Sequence, residues 1–347
     1  MSAINGLTDG LVLAVDGGGV KTDLALLERT GALLAHVRGG RSQFHYLGVD
    51  GCVAVLEGLL SEALARAGRD PERRPLAATA QLLLAGIDLP EELAALRAGL
   101  ERLRWSERLA IGNDTEALLR AGTDRGWGVA VVCGTGINCL GLAPDGREAR
   151  FLSFGPVSGD WGGGGDIGLA ALAAAVRAAD GRGPRSRLET EVPAHFRLAS
   201  PFEVARAVHL EEIPPARLGE LAPIVLALRE HDAVSAGIVA RLCDEVVAFV
   251  RAAVHRLGLA GDDPDVVLGG RVLRSVAVEV IEAIGRGVRE VAPRAHVVVS
   301  PSEPIVGAAL LGLDAIQADA TARARARAEL DRATSALTAI ATAESAS

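Results

Sequence analysis

A glycine-rich hairpin near the start of the chain constrains the fold more than any other feature. Residues 11–15 (LVLAV) are apolar and lead into Asp16 and three glycines, after which Lys21, the only lysine, and Thr22 precede a second apolar run at 24–27. This pattern predicts a buried strand, a tight turn and a second strand, because glycine tolerates turn conformations and short apolar runs are typical of strands. It is not a Walker A loop, in which a helix follows the glycines.

The same pattern occurs again at residues 129–142, where a strand, the turn Gly134-Thr135-Gly136 and another strand follow one another. A single hairpin of this kind could be purely structural, with Asp16 and Thr22 satisfying turn amides. A duplicate at domain spacing instead indicates two similar domains. Since a glycine backbone can approach phosphate closely, we expect both hairpins to contact a nucleotide.

The composition is typical of a two-domain α/β protein. Of the 347 residues, 49% are hydrophobic but only 3% are aromatic, so Leu, Val and Ala on helices and strands must form the core. A net charge of −8 argues against nucleic acid or an anionic membrane as a partner. There is no apolar run of membrane-spanning length and no signal-peptide pattern in residues 1–10, so we expect a cytoplasmic protein.

The four cysteines argue against a metal cluster. Cys52, Cys133, Cys139 and Cys243 include no C-x-x-C pair, and zinc sites need tighter groups. We expect them to be buried, reduced thiols.

Three carboxylates follow predicted parallel strands. Asp16, Asp88 and Asp114 each stand where a strand ends, and ligands of α/β sheets gather at that edge. Asn113 and Glu116 match a capping box, so residues 113–116 could be purely structural. One of Asn113 and Asp114 is enough to cap the helix, however, which leaves the other for a ligand.

Two further loops have the composition of a sugar site. Residues 39–48 contain Gln43 and His45, whose amide and imidazole groups suit sugar hydroxyls, although an ordinary strand-to-helix loop is an equal alternative. Residues 151–168 contain seven glycines together with Asp160 and Trp161. We expect a helix from near Leu169, with first-turn N–H groups that could face an anion.

A last glycine pair, Gly269 and Gly270, follows a strand at residues 265–268. It could let adenine and ribose lie against the backbone, or it could be an ordinary strand-to-helix turn. Beyond about Ala318 the chain is rich in Ala and Arg and then in Ala, Ser and Thr, which predicts a solvated helix and a disordered tail over 331–347.

The order of these motifs resembles that of the BadF/BadG/BcrA/BcrD ATPase family, which includes N-acetylglucosamine kinases and belongs to the actin, heat-shock chaperone and sugar kinase superfamily. The motifs are residues 16–23, 112–115, 134–136, 159–168, 268–270 and 304–309. The resemblance implies an α/β fold of two actin-like (RNase H-like) domains with an interdomain ATP cleft. We expect the domains at 1–120, completed by a C-terminal helix near 306–330, and at 121–305.

The resemblance also implies roles for individual residues. Asp16 would hold Mg²⁺ through water, Asp114 would be the general base, and Asp160 would bind sugar hydroxyls. The ATP contacts would be Gly18, Gly19, Lys21, Thr22, Gly134, Thr135, Gly136, Gly269 and Gly270. Together with Asp114 and Asp160, the expected sugar contacts are Gln43, His45, Asp88 and Asn113.

The predicted function is that of an ATP-dependent kinase of an amino sugar or hexose, such as N-acetylglucosamine or glucosamine, with ATP and Mg²⁺ as cofactors and a homodimer as the expected assembly. The family's kinases usually carry Gly-Asp-Glu-Gly-Ser where this chain has Gly159-Asp160-Trp161-Gly162-Gly163, which leaves the acceptor sugar open. Two alternatives stay open. One is an ATPase of the 2-hydroxyacyl-CoA dehydratase activator type, in which cysteines bind an iron–sulfur cluster between two subunits, and the other is a non-catalytic nucleotide or sugar sensor.

Overall fold

The computed structural model describes residues 10–345, and the burial of side chains over 10–337. Residues 1–9 and 346–347, which include most of the segment inspected for a signal peptide and the very end of the expected tail, lie outside the described residues. The ten described strands are β1 (Val12–Gly17), β2 (Thr22–Leu27), β3 (Leu33–Gly39), β4 (Ala77–Leu84), β5 (Ser106–Gly112), β6 (Gly128–Cys133), β7 (Ile137–Leu142), β8 (Glu148–Arg150), β9 (Asp265–Gly269) and β10 (His296–Val299).

Twelve α-helices accompany these strands in the described range. They are α1 (Phe44–Arg66), α2 (Pro90–Glu101), α3 (Asp114–Gly122), α4 (Gly164–Ala179), α5 (Leu188–Phe196), α6 (Pro201–His209), α7 (Ala222–Leu228), α8 (Ala233–Leu257), α9 (Gly270–Ser275), α10 (Val278–Val291), α11 (Pro304–Ala315) and α12 (Ala320–Ser345). None of the helices that the structure describes combines the length and the apolar character needed to cross a bilayer.

The chain divides into two compact units, residues 1–126 with 300–347, and residues 127–299. The first unit contains a five-stranded sheet in the order β3-β2-β1-β4-β5. β1, β2 and β3 pair antiparallel, whereas β4 and β5 join β1 as parallel strands. Every residue of β1 and β2 is buried, which is why residues 12–15 and 24–27 read as continuous apolar runs in the sequence.

The second unit repeats this plan with the order β10-β9-β6-β7-β8. β6, β7 and β8 are antiparallel, and β9 and β10 continue the sheet as parallel strands. Its core is formed largely by one face of β6, β7 and β9 and by α4 and α8. The predicted duplication of the glycine hairpin is therefore a duplication of a whole five-stranded sheet, and the predicted α/β class is confirmed.

Helix α11 belongs to the first unit although it follows the second unit in the chain. It packs on α3 so closely that a Cβ on Gly307 would overlap the carbonyl of Ala117, so only glycine fits there. Helix α12 continues in the same unit to Ser345, with Leu330 and Thr334 buried. The structure thus differs from the disordered tail predicted over 331–347, because buried residues along one side of α12 pack part of this helix against the unit.

Helix α4 begins at Gly164, five residues before the expected start near Leu169. Its first turn is glycine-rich, which is unfavourable for an isolated helix. Asp166 compensates by accepting hydrogen bonds from the backbone N–H groups of Gly162 and Gly163, at 3.1 and 3.0 Å. The N–H groups of Gly164 and Gly165 donate to carbonyls of the second hairpin, so this helix terminus is satisfied by protein atoms rather than left for an anion.

Candidate active site

The first glycine hairpin joins β1 to β2 in the first unit. The Gly18 N–H donates to the Lys21 carbonyl at 2.9 Å and closes the turn, while Val20 at its tip is 60% exposed. Gly17 packs against the side chains of Leu84 and Ser42 so tightly that a Cβ would overlap both. The hairpin therefore presents its glycine backbone at the carboxyl end of β1, where a phosphate could approach it.

The Lys21 ammonium is held by two carboxylates. Its Nζ lies 2.9 Å from Asp23 Oδ2 and 3.1 Å from Glu303 Oε2. Burial lowers the pKa of Lys21, but the two carboxylates outweigh that effect and raise it. Asp23 is fully buried and also accepts two hydrogen bonds from Arg38 and lies 2.9 Å from His36 Nε2. The lysine is therefore a fixed cation beside the hairpin, and its contact with ATP stays a prediction.

Glu303 and Asp23 were missed by reasoning from the sequence. Glu303 directly precedes α11 and is only partly exposed, at 22% of its side chain. It is 282 residues from Lys21 in the chain, so no local pattern could pair them. Asp23 is part of the hairpin motif, and its position directly before the apolar run of β2 was the signal that it is buried.

Asp16 is a buried carboxylate with no hydrogen-bond partner in the described part of the chain. Burial, and after it the negative charge of Asp23, raise the pKa of Asp16 well above its ordinary value, while Lys21 lowers it. A cation would restore its charged form. Among the described residues there is no group of three or more His, Cys, Asp or Glu that could hold a metal ion. A lone buried carboxylate is the kind of ligand that Mg²⁺ takes together with waters and substrate phosphates. Asp16 therefore fits the metal role.

Thr22 is engaged within the first unit. Its side chain is fully buried, and its Oγ1 donates to Ser42 Oγ at 2.9 Å. Thr22 is also paired with β1 and β3 through its position in β2, so its contact with ATP stays a prediction.

Asp114 is the first residue of α3 but does not cap it. Asn113 is the cap, because its Oδ1 accepts from the N–H and the hydroxyl of Thr115 at 3.1 and 2.8 Å, and Glu116 Oε1 accepts from the Asn113 N–H at 3.2 Å. The capping box proposed from the sequence is therefore present, and it is formed without the carboxylate of Asp114.

The Asp114 carboxylate lies in an acidic, desolvated environment. Burial, with the negative charge of Asp88 as the next cause, raises its pKa to about 7. Asp88 is tied to the same corner by the Asn113 Nδ2–H, which donates to Asp88 Oδ1 at 2.9 Å. β1, β4 and β5 are parallel; Asp16 is the next-to-last residue of β1, whereas Asp88 and Asp114 follow the ends of β4 and β5. A carboxyl group that ionises near neutral pH is suited to general-base catalysis.

The loop before α1 brings polar groups to the turn that follows β4. Gln43 carries a buried Oε1 with no hydrogen-bond partner in the described region. Its side chain lies against Gly86, as does the ring of His45, since a Cβ on Gly86 would lie 3.0 Å from each. His45 Nδ1 is 3.4 Å from Glu92 Oε1. A buried acceptor without a partner is costly, so Gln43 fits a ligand hydroxyl.

The second hairpin has the same open character in the second unit. The Gly134 N–H donates to the Gly136 carbonyl at 2.9 Å, and a Cβ on either glycine would meet no atom within 4 Å. The Gly164 and Gly165 N–H groups donate to the carbonyls of Gly134 and Thr135 at 2.8 and 3.2 Å, which fixes the back of the turn. The outer side of the turn is thereby free to meet a phosphate.

Asp160 lies in the loop that leads from this hairpin's sheet to α4. It is only 9% exposed and accepts a hydrogen bond from the Ser158 hydroxyl. The adjacent Trp161 is covered on one face by Arg241 of α8, whose Cζ is 4.1 Å from the ring centroid. The guanidinium was missed because it is distant in sequence.

Gly269 and Gly270 end β9 and open α9. Gly270 has a φ of +86° and packs on the backbone of Cys133, so that any Cβ would overlap the Cys133 carbonyl. Its requirement for glycine is thus structural, and a contact of this pair with adenosine stays a prediction.

A separate surface cavity of about 450 Å³ lies in the first unit, between α2 and β5. None of the predicted site residues lines it. Its wall includes Trp105, whose buried Nε1 has no hydrogen-bond partner in the described residues.

A family model and two characterised relatives match most of this chain. Residues 13–312 match the model of the BadF/BadG/BcrA/BcrD ATPase family. An N-acetylmuramic acid/N-acetylglucosamine kinase of Clostridium acetobutylicum is 27% identical, over 76% of this chain and 86% of that protein. An N-acetyl-D-glucosamine kinase of Dictyostelium discoideum is 25% identical, over 88% of this chain and 98% of that protein.

Solved structures share the fold. A Chromobacterium violaceum protein proposed to be an N-acetylglucosamine kinase superposes with a TM-score of 0.71 at 24% identity, covering 88% of this chain and 99% of that one. A ROK family glucokinase from Streptomyces griseus, solved with glucose and AMPPNP, gives 0.54 at 18% identity, covering 87% and 99%. These neighbours share the α/β fold with its two five-stranded sheets, and with 300 residues matched by the family model this chain belongs to the BadF/BadG/BcrA/BcrD ATPase family.

Proposed function

We propose that this chain is an ATP-dependent kinase that phosphorylates a hydroxyl of an amino sugar of the N-acetylglucosamine type. The observation that carries the proposal is the state of Asp114. Asn113 caps α3 in its place, and burial beside Asp88 raises the pKa of the Asp114 carboxyl group to about 7. The two relatives named above act on N-acetylated amino sugars, which supports the choice of acceptor.

Phosphoryl transfer asks little covalent chemistry of the protein and consists mainly of positioning and charge neutralisation. Asp114 would accept the proton of the attacking hydroxyl as the phosphoryl group transfers. Gln43 Oε1, which lacks a donor among the described residues, would accept a hydrogen bond from the sugar, and Asp160 would bind a second hydroxyl. These groups orient the acceptor before the reaction begins.

The phosphates would be held by backbone N–H groups of the two glycine hairpins. The Gly18 N–H already donates to the Lys21 carbonyl and the Gly134 N–H to the Gly136 carbonyl, so Gly18 and Gly134 would let a phosphate approach the turns, while the N–H groups of Gly19, Thr135 and Gly136 would contact it. Asp16 would hold Mg²⁺ through water, and the bound ion would neutralise phosphate charge. Lys21, fixed by Asp23 and Glu303, adds a cation beside the first hairpin.

The iron–sulfur activator alternative is disfavoured by the thiols. Cys133 and Cys139 are buried within the sheet of the second unit, and burial raises the pKa of both. A cluster between two subunits needs thiolates at a surface. A non-catalytic sensor, by contrast, differs from a kinase only in turnover, so an activity measurement separates the two.

The test is ADP release from Mg·ATP by purified protein, measured with a panel of sugars that includes N-acetylglucosamine, glucosamine, N-acetylmannosamine and glucose. We expect ADP release to be stimulated most by an N-acetylated amino sugar, and the Asp114→Asn variant, purified in parallel, to remove the stimulation. This variant controls for contaminating kinases. If the protein binds ATP and a sugar but shows no turnover, it is a non-catalytic sensor rather than a kinase.

A further inference from the structure

An arginine stacks on the tryptophan beside Asp160. Arg241 belongs to α8, and its guanidinium Cζ lies 4.1 Å from the centroid of the Trp161 ring. Helix α8 is in contact with this loop at the next residue too, since a Cβ on Gly162 would lie 3.3 Å from Leu242. Tryptophan is the aromatic residue that attracts a cation most strongly, so the contact restrains the guanidinium over the ring.

The stacked guanidinium keeps hydrogen-bond donors available. The Arg241 side chain is 56% exposed, and its Nε lies 3.5 Å from Glu245 Oε1, a long contact. Within the described part of the chain neither of its Nη atoms has an acceptor at hydrogen-bond distance. The two Nη groups are therefore available to a ligand, and a guanidinium presents its N–H donors in the fork arrangement that binds a carboxylate through two oxygens.

The position of this pair relates it to the acceptor side of the site. Trp161 directly follows Asp160, and neighbouring Cα atoms are only about 3.8 Å apart. Asp160 is the residue to which the proposed function gives a sugar hydroxyl. The indole of Trp161 stands where the family pattern has an acid, so residue 161 carries no negative charge that would repel a carboxylate. The guanidinium of Arg241 places a positive charge over the same ring.

We propose, on the basis of the proposed kinase function, that Trp161 and Arg241 form a subsite for a carboxylate carried by the amino sugar. The preferred acceptor class is then an N-acetylated amino sugar with an acidic ether substituent rather than a neutral one. Arg241 is a specificity residue in this account: it binds the substituent and takes no part in the transfer of the phosphoryl group.

The experiment compares kcat/KM for N-acetylmuramic acid and N-acetylglucosamine, which differ only in the lactyl ether group. We expect the wild-type protein to use both, and Arg241→Ala to reduce the ratio of the two kcat/KM values about 10- to 100-fold, because one charge-assisted bidentate contact is lost. Arg241→Lys keeps the charge but not the fork, and should reduce the ratio by less. The methyl ester of N-acetylmuramic acid should not distinguish wild type from Arg241→Ala.

The control variant is Arg251→Ala, an exposed arginine about 15 Å further along the same helix, which should leave the ratio unchanged. An equal loss of both activities in Arg241→Ala would assign the stack to stability and overturn the proposal. Turnover of N-acetylglucosamine without turnover of N-acetylmuramic acid would overturn it while leaving the kinase intact. If neither sugar is phosphorylated, the kinase proposal fails, and calorimetric binding of both sugars to wild type and Arg241→Ala still decides the role of Arg241.

Discussion

Replacing Asp114 by Asn should make the protein more stable and less active at the same time. The pKa of Asp114 is about 7 against an ordinary 3.8, because the folded protein desolvates this carboxyl group and places it near Asp88. Each pKa unit corresponds to about 1.4 kcal/mol, so ionising Asp114 costs the folded state at most about 4 kcal/mol. Asparagine has the same shape without the charge. Allowing for relaxation around the amide, we expect a gain of about 2–4 kcal/mol in the free energy of unfolding at pH 8.

The sign of this effect fixes its pH dependence. A carboxyl group whose pKa is raised on folding stabilises the protein fully below the unfolded pKa, near pH 4, and loses that contribution as the pH rises towards 7. The advantage of Asp114→Asn should therefore be near zero at pH 4, grow between pH 4 and 7, and stay constant above. Urea unfolding of both proteins at a series of pH values measures it.

Activity supplies the second half of the test. General-base catalysis contributes about 10²- to 10⁴-fold, so Asp114→Asn should lower kcat by that factor while ATP affinity is nearly unchanged. Glu57→Gln, which removes an exposed carboxylate on α1 of the same unit, is the matched control and should change neither property. An Asp114→Asn protein that is less stable than wild type at pH 8, or that keeps full activity, would refute the reasoning.

Three other predictions follow from the same residues. The kcat/KM for the sugar should rise with pH around an inflection near 7, set by Asp114, and a flat profile from pH 5.5 to 8 would contradict that role. Asp16→Asn should weaken Mg·ATP binding about tenfold or more in calorimetry; unchanged metal-dependent affinity would remove Asp16 from the metal site. Gly163→Ala should displace the second hairpin and lower activity strongly, because its Cβ would overlap Gly136. Gly165→Ala is the control and should have little effect, because its Cβ would be 3.6 Å from the nearest atom. Equal effects of the two substitutions would show that the close approach of Gly163 to Gly136 is unimportant.

Much of the fold could be predicted because it is encoded in local patterns. Apolar runs on either side of glycines predict each hairpin, and the repetition of this pattern predicts the second sheet. The capping box of Asn113 and Glu116 is equally local, and the structure contains it. Its presence separates the structural role of Asn113 from the role proposed for Asp114, a distinction that the sequence left open.

The features that escaped prediction depend on distant parts of the chain. Glu303 approaches Lys21 only because α11 returns to the first unit, and Arg241 meets Trp161 only because α8 packs beside the glycine-rich loop. The early start of α4 has the same origin, since carbonyls of the second hairpin accept hydrogen bonds from Gly164 and the residue after it. Local propensity opposes a helix in a run of glycines, and tertiary hydrogen bonds overcome it.

A direct measurement of phosphoryl transfer from ATP to an amino sugar tests the central claim best. Wild-type protein is incubated with Mg·ATP and N-acetylglucosamine, and the products are followed by ³¹P NMR and by mass spectrometry of the sugar. The account predicts that a sugar phosphomonoester and ADP form in equal amounts, and that Asp114→Asn forms neither at a comparable rate. Formation of ADP and inorganic phosphate with the sugar left unmodified would contradict it.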